Sequence, residues 1–493
     1  MNIQNTFQKV AVLFCAFICI SNAFGQEELI EFSHASNTER DITAGFAMAH
    51  PVKNEAAVFL IDNLQIHAYG INENFDISSK IELVKEKRNF DEIIAKMVHP
   101  KGYTLFFNDT REKIIRHMTF DFDSVAITKK GSFPFSLKKK RVLANFTYNE
   151  KAHILVLDTD DSTLHLLKID TDFNLTEKIF DTSSFELVSY TGRKTSLNRF
   201  ITANKSKLTS INVDGTNYPI SLSEAAAKYK IYREENQLFL TMDHHTNYTQ
   251  LFTLDLDLDA LDFRKIEKPE TSRTITQGKT NSFIRDDKLA QLVLGKDELL
   301  VEVKDLTGGE MLYAKKIPKK GDDVSNTSAF YQKKSWKEED KKLDNKQYFR
   351  KIANNEISIV LNPSDAGYKL TYGSWNKVEQ ASGGDIALGV FGGAVGGIIG
   401  ALVLSSIGEA ISPGFQSYAK YASGRTIYTN DHFATDFEVQ SDSTSPDLFE
   451  QFDNYVDTKE DNVPFLLFTY HGKNVLGLCL WDAKYEIMTL TRF

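Results

Sequence analysis

Histidine, clustered aspartate and cysteine are the residues from which catalysis or metal binding could be built in this chain, and their spacing argues against each. The 11 histidines are scattered without ligand spacing. His244 and His245 form an adjacent pair, but neighbours on a strand point to opposite faces, so the pair reads as an exposed turn rather than as zinc ligands. His50 and His99 each precede a proline, Pro51 and Pro100, and a turn role accounts for both. The aspartates of 158–161 and 255–262 lack the D-x-D-x-D-G spacing, with its turn glycine, that a calcium loop needs. The run 255–259 alternates Asp and Leu like a strand with one wet face. Cys479 lies in the apolar run 476–481 and reads as a core residue rather than a nucleophile. No G-x-S-x-G elbow, H-E-x-x-H, P-loop or dinucleotide fingerprint is present. No catalytic, cofactor-binding or metal-binding residue is therefore assigned, and no cofactor is expected.

A different chemistry, that of close packing, is written between 386 and 408. These 23 residues carry no charge and are bounded by Asp385 and Glu409. Gly389, Gly393 and Gly397 are spaced by four, as are Gly392, Gly396 and Gly400, so on a helix the two sets form adjacent bare stripes. This resembles a glycine zipper, the G-x-x-x-G device by which membrane helices approach one another. Seven glycines in a water-exposed helix would cost roughly 6–7 kcal/mol relative to alanine. Such a helix needs lipid, or another helix against its bare face. Three readings follow: a full membrane span, a re-entrant or self-associating helix, and an apolar plug buried within the protein.

The elements that would position these residues are strands. From 40 to 380, short runs of Val, Ile, Leu, Phe, Tyr and Thr alternate with clusters of Asp, Asn, Gly and Lys, and helical periodicity reaches only short turns at 91–97 and 222–229. The runs repeat. Met48-Ala-His-Pro51 followed by Val58-Phe-Leu-Ile-Asp62 matches Met97-Val-His-Pro100 followed by Leu105-Phe-Phe-Asn-Asp109. Polar residues closing the second strand of each hairpin, Asn72, Asp121, Asp170, Asp214, Asp255 and Asp305, are 49, 49, 44, 41 and 50 apart. They read as turn formers. Further hairpins fall at 357–372 and 465–482. Residues 333–351, with seven lysines, read as a solvated surface insertion.

A period of ~40–50 residues made of strands and turns resembles that of the β-propeller superfamily, where each blade buries its faces only by stacking on the next. The resemblance implies an all-β propeller of seven or eight blades with a helical, glycine-rich insertion; a tandem of β-sandwich domains is the competing fold. It implies no function, because propellers host many. The division that follows is a signal peptide at 1–25, propeller blades at 26–379, the glycine-zipper-like insertion at 380–430, and strands closing the ring at 431–493.

The N-terminus predicts export. Lys9 precedes the apolar run 10–20, and Ala23 and Gly25 place cleavage before Gln26. Once residues 1–25 are removed, Cys479 is the lone cysteine and no internal disulfide forms, which favours a bacterial envelope protein, periplasmic or outer, over a eukaryotic secreted one. A net charge of −9 disfavours nucleic acid as a partner. The sequence thus points to a non-enzymatic exported binding or scaffold protein, with a protein partner or self-association, and membrane contact through 386–408. The alternative is a hydrolase whose acidic side chains converge in the propeller's central channel.

Overall fold

The computed structural model describes residues 27–492 apart from 35–41, 51, 63–64, 85–91, 110, 204–208, 213–218, 273–278, 321–328, 334–339, 365, 377–424, 441–447, 459–461, 471–474 and 483–486. Within them the chain builds seven sheets in sequence order, nearly all by antiparallel pairing. Blade 1 is Ile42–Ala49, Ala56–Asp62, Gln65–Ile71 and Ile77–Val84; blade 2 is Glu92–His99, Gly102–Asp109, Ile114–Asp121 and Ala126–Ser136. Blade 3 is Lys140–Tyr148, Lys151–Asp158, Leu164–Ile169 and Leu175–Phe180. Blade 4 is Tyr229–Glu234, Gln237–Met242, Tyr248–Asp255 and Ala260–Glu267; blade 5 is Thr280–Arg285, Lys288–Leu294, Glu298–Asp305 and Met311–Pro318. Glu92–His99, which the sequence read as at best a helical turn, is a strand: its burial follows its contacts with the neighbouring blade, which local periodicity does not encode.

The first strand of each blade is innermost. Ile42–Ala49 lies against Asn462–Tyr470, Glu92–His99 against Lys140–Tyr148, and Thr280–Arg285 against Glu356–Ser364. Fourth strands are outermost and wet: Ala260–Glu267 alternates exposed and half-buried residues, whereas Thr280–Arg285 is buried throughout. Apolar side chains of adjoining blades interleave in the seams, as Phe59 and Phe46 do with Tyr103 and Phe120. A single sheet cannot bury both faces, and stacking around an axis solves this for all of them.

Closure decides the fold. The last blade is Asn462–Tyr470, Val475–Asp482 and Ile487–Arg492, completed by Glu27–Ser33 from the start of the chain, which pairs antiparallel with Ile487–Arg492. Glu27 stands opposite Arg492, 465 residues away, and the two side chains are ion-paired. Tandem sandwiches have no place for such a strand; the protein is an all-β propeller with seven sheets among the described residues.

The repeating aspartates do what turn formers do. Asn72, Asp121, Asp170 and Asp255 each accept two backbone N–H bonds at 2.8–3.1 Å from residues two to four further on, and Asp305 accepts one from Gly308. Asp214 lies outside the described residues, and Asp170 and Asp255 stand at the ends of the third strands of successive blades. Within the run 255–259, Asp255 ends a strand and 256–259 form a turn: Leu256 is buried while Leu258 is 76 % exposed. The lysine-rich stretch is not a loose insertion either. Phe330–Lys333 and Lys341–Leu343 pair, and the Asn345–Ala353 helix, capped by Asp344, buries Tyr348, Phe349 and Ile352. Its lysines form the wet face of an amphipathic element.

Candidate functional site

The candidate site lies around the axis where blades 4 and 5 meet the next sheet, blade 6, whose inner strands are Glu356–Ser364, Gly367–Asn376 and Arg425–Ala434. The connection from blade 3 to blade 4 does not stay on the rim. Thr209–Asn212 pairs in parallel with Tyr229–Glu234, on the axial edge of blade 4. The chain then reaches blade 6: Ile220 N–H donates to Asn362 Oδ1 at 2.8 Å, and Asn362 Nδ2 donates to Ile220 O at 3.0 Å. Ser221 caps the short Leu222–Ala225 helical turn by accepting from Glu224 N, and Ile220, Leu222 and Ala225 bury with Tyr232 and Phe283. The described parts of this connection thus lie against the axial strands of blades 4 and 6.

Beside this connection sits a buried charge cluster. Asp243 ends the second strand of blade 4, Lys230 lies on the first and Lys268 follows the fourth; all three are buried. Lys230 Nζ reaches Asp243 Oδ2 at 3.1 Å, and Lys268 Nζ reaches Oδ1 at 3.2 Å. Thr249 Oγ1 donates to Oδ1, while Ser282 donates to Oδ2 from its backbone N (3.0 Å) and its hydroxyl (2.8 Å), crossing into blade 5. Burial alone would raise the Asp243 carboxyl; the ammoniums of Lys268 and Lys230 overcome this and hold it far below the usual carboxylate range. Burial pushes the neighbouring Lys228 amine down to about 8, and its Nζ donates to Thr280 O at 2.5 Å. With both carboxylate oxygens taken up, Asp243 is an ionic pin between blades rather than an available acid or base.

Blade 6 departs from its neighbours. Its path runs Lys341–Leu343, Phe330–Lys333, Arg425–Ala434, Gly367–Asn376, Glu356–Ser364, with Val439–Gln440 also paired to Arg425–Ala434. The face toward blade 5 is pinned by Asp431, which accepts from Tyr313 (3.0 Å), Tyr372 (2.9 Å) and Lys315 (2.6 Å). The other face is polar. Asn362, Lys369, Thr371, Asn430 and Lys333 border a cavity of about 60 Å³ closed by Ser221 and by the Leu448–Asp457 helix. That helix joins this core through Phe449 and Phe452, and Tyr455 Oη donates to Glu28 of the closing strand at 3.0 Å.

The segment containing Gly389, Gly392, Gly393, Gly396, Gly397 and Gly400 lies outside the described residues, but its roots do not. Asn376 and Arg425 are register partners in one antiparallel pair, so the 48 residues between them leave and re-enter the blade at one point. A single crossing that strands everything after 408 across a membrane is incompatible with this pairing, since residues 425–492 complete blades 6 and 7. Among the described residues, no helix is long and apolar enough to cross a membrane. The strand carrying Cys479 is in blade 7, with its side chain outside the description. His244 is half-buried, its Nε2 3.0 Å from Tyr229 Oη, rather than exposed as the sequence suggested. Lys230 and Lys268 were missed; Lys230 carries a signal, standing alone among Tyr229, Ile231 and Tyr232, whereas Lys268 follows Glu267 in a charged stretch and carries none.

No family model and no curated protein matches the chain. Among solved structures it is similar to a member of the DUF4221 family from Bacteroides vulgatus, with 12 % identity, a TM-score of 0.31, and 83 % of this chain and 94 % of that one covered. It is also similar to the Dos1 propeller, with 8 % identity, a TM-score of 0.31 and 95 % of each chain covered. These likenesses carry no functional argument; sheet order and closure are what define the ring.

Proposed function

We propose that this is an exported, non-enzymatic binding propeller of a bacterial envelope, whose ring holds the glycine-rich segment 386–408 for association with a protein partner, a second copy or a membrane surface. The observation that carries the reading is the pairing of Asn376 with Arg425. An insertion that carries a 23-residue uncharged run and is rooted between two paired strands can engage something outside the ring without disturbing it. The axial connection through Ile220 and Asn362, and the fully engaged Asp243, support binding over catalysis. Export rests on Lys9, the apolar run 10–20 and the small residues before Gln26.

The register dictates the test. Replacing 377–424 by a two-residue Asn-Gly turn should preserve the antiparallel pairing. The shortened protein is expected to fold with an unchanged far-ultraviolet spectrum and to run as a soluble monomer, while the full-length mature chain self-associates or sediments with membranes. A full-length chain as soluble and monomeric as the shortened one would overturn the proposal. N-terminal sequencing of the native protein should read from Gln26, and retention of Met1 would overturn export.

A further inference from the structure

The two best-matched repeats differ at one point that suggests a ligand. His99, between the first two strands of blade 2, faces the last turn of blade 3. Its Nδ1 accepts from Lys101 N at 3.0 Å, so the ring proton is on Nε2, which donates to Thr171 O at 3.0 Å. Phe173, at a positive φ of 65°, covers the imidazole with ring centroids 5.6 Å apart. That seam is filled and its donor is used.

His50 occupies the same position one blade earlier. Its Nδ1 accepts from Val52 N (3.2 Å) and Lys53 N (3.1 Å), which again puts the proton on Nε2. Here the facing turn, from blade 2, is of another form. It is one residue longer, its positive-φ residue is Val125 rather than a phenylalanine, and Val125 is 54 % exposed. The carbonyl equivalent to that of Thr171 belongs to Phe122 and accepts from Ser79 Oγ at 3.0 Å. The result is a cavity of about 100 Å³ bordered by His50, Tyr103, Phe122, Lys53 and Lys101, with Gly70 at its wall. A methyl group at Gly70 would stand 2.8 Å from both the Phe122 ring and Ser78 Oγ, so the wall tolerates no larger residue. The His50 Nε2 atom is buried and has no hydrogen-bond partner among the described residues. Burial, with Lys53 nearby, lowers the affinity of this imidazole for a second proton, so it remains a neutral donor.

We propose that the seam between blades 1 and 2 is a binding site for a small carboxylate, whose oxygen accepts from His50 Nε2–H. Lys101 supplies the positive charge, because Lys53 is already ion-paired with Glu55 (3.7 Å) and Asp123 (4.0 Å), and the Tyr103 and Phe122 rings flank the carbon skeleton. Glu55 and Asp123, also at the mouth, disfavour multivalent anions and suit a monocarboxylate or a zwitterion such as an amino acid. The unfilled buried donor supplies the specificity, because an uncharged hydrocarbon would leave it unpaired.

The test is calorimetric titration of the mature protein with sodium acetate and with glycine, against sodium chloride at matched ionic strength. Saturable binding of acetate or glycine, absent with chloride, is expected. Lys101→Gln should weaken it at least fivefold. Replacing the 121–125 turn by the blade 3 sequence Asp-Thr-Asp-Phe should abolish it by filling the cavity and occupying His50, with the thermal midpoint retained or raised. No saturable binding by the native protein, or undiminished binding by the folded turn graft, would overturn the proposal.

Discussion

The seam between blades 4 and 5 and the seam where the ring closes are both pinned by buried polar groups, but with opposite chemistry. The first uses permanent ions: Asp243 between Lys230 and Lys268. The second uses neutral imidazole. His34, at the end of the closing strand, is fully buried, and its Nδ1 lies 2.7 Å from Tyr69 Oη of blade 1. Its ring meets that of His67 edge-on at 4.9 Å, and His67 in turn reaches Asp62 (3.1 Å) and Glu82 (3.4 Å). An ionic pin tolerates any pH at which its carboxylate stays charged, whereas an imidazole pin weakens as soon as a proton is forced on it. The blade seam inside a continuous chain is thus held independently of acid as long as the Asp243 carboxylate stays charged, and the seam that joins the two ends is acid-sensitive.

Removing the carboxylate should have the largest effect. Asp243→Ala leaves two buried ammoniums without their counter-ion and should cost about 3–5 kcal/mol in denaturant unfolding. The triple change Asp243→Leu, Lys230→Met, Lys268→Met should recover most of that loss, because it removes the uncompensated charge rather than creating it. A triple variant as unstable as the single one would mean that the network is needed for geometry and not only for neutrality.

Acid should separate the two seams. Burial, then the charges of His67 and Lys80, lowers His34 to about 4 against an unfolded value of 6.5, with Asp62 and Glu82 opposing. Burial lowers His117 and His153 to about 4 as well. Each binds a proton more readily when unfolded, so stability is full above pH 6.5 and falls as the pH drops toward 4. The Asp243 pin is unaffected over that range. His34→Phe should flatten part of the slope of unfolding free energy against pH between 6.5 and 4; an unchanged slope would remove His34 from the closure argument.

Smaller effects refine the same contrast. Tyr69→Phe removes the hydroxyl that pairs with His34 and should cost about 1 kcal/mol, measured at pH 7.5 where the imidazole is neutral. Asp170→Ala deletes a turn cap on the surface, far from either seam, and should cost about 0.5–1 kcal/mol with no change in the pH slope.

Much of the architecture was legible in the chain. The hairpins at 48–62 and 97–109, and the polar residues at their turns, announced a repeated strand unit because turn chemistry is local: an Asp side chain bonds backbone groups two to four residues on. The same locality explains the errors. Between 180 and 228 the described residues form a connection of two short helices and the strand Thr209–Asn212 rather than a further blade, which a period read from turn residues alone does not reveal. The amphipathic Asn345–Ala353 helix was obscured by its lysines. Lys230 and Lys268 stayed invisible because nothing near either one in sequence indicates Asp243, which satisfies both.

What the sequence by itself determined is therefore the blade: the alternation of strands, the capped turns, and the uncharged glycine-spaced run at 386–408, each encoded within some ten to fifty residues. Tertiary structure alone decided that Glu27–Ser33 completes the last sheet and that Ile220 reaches Asn362 across the axis. It also decided that Asn376 faces Arg425 across the root of the insertion, and that His50 borders a cavity where His99 meets a phenylalanine. These depend on which blade stands next to which, and a short-range pattern carries no record of a neighbour supplied from about fifty to several hundred residues away.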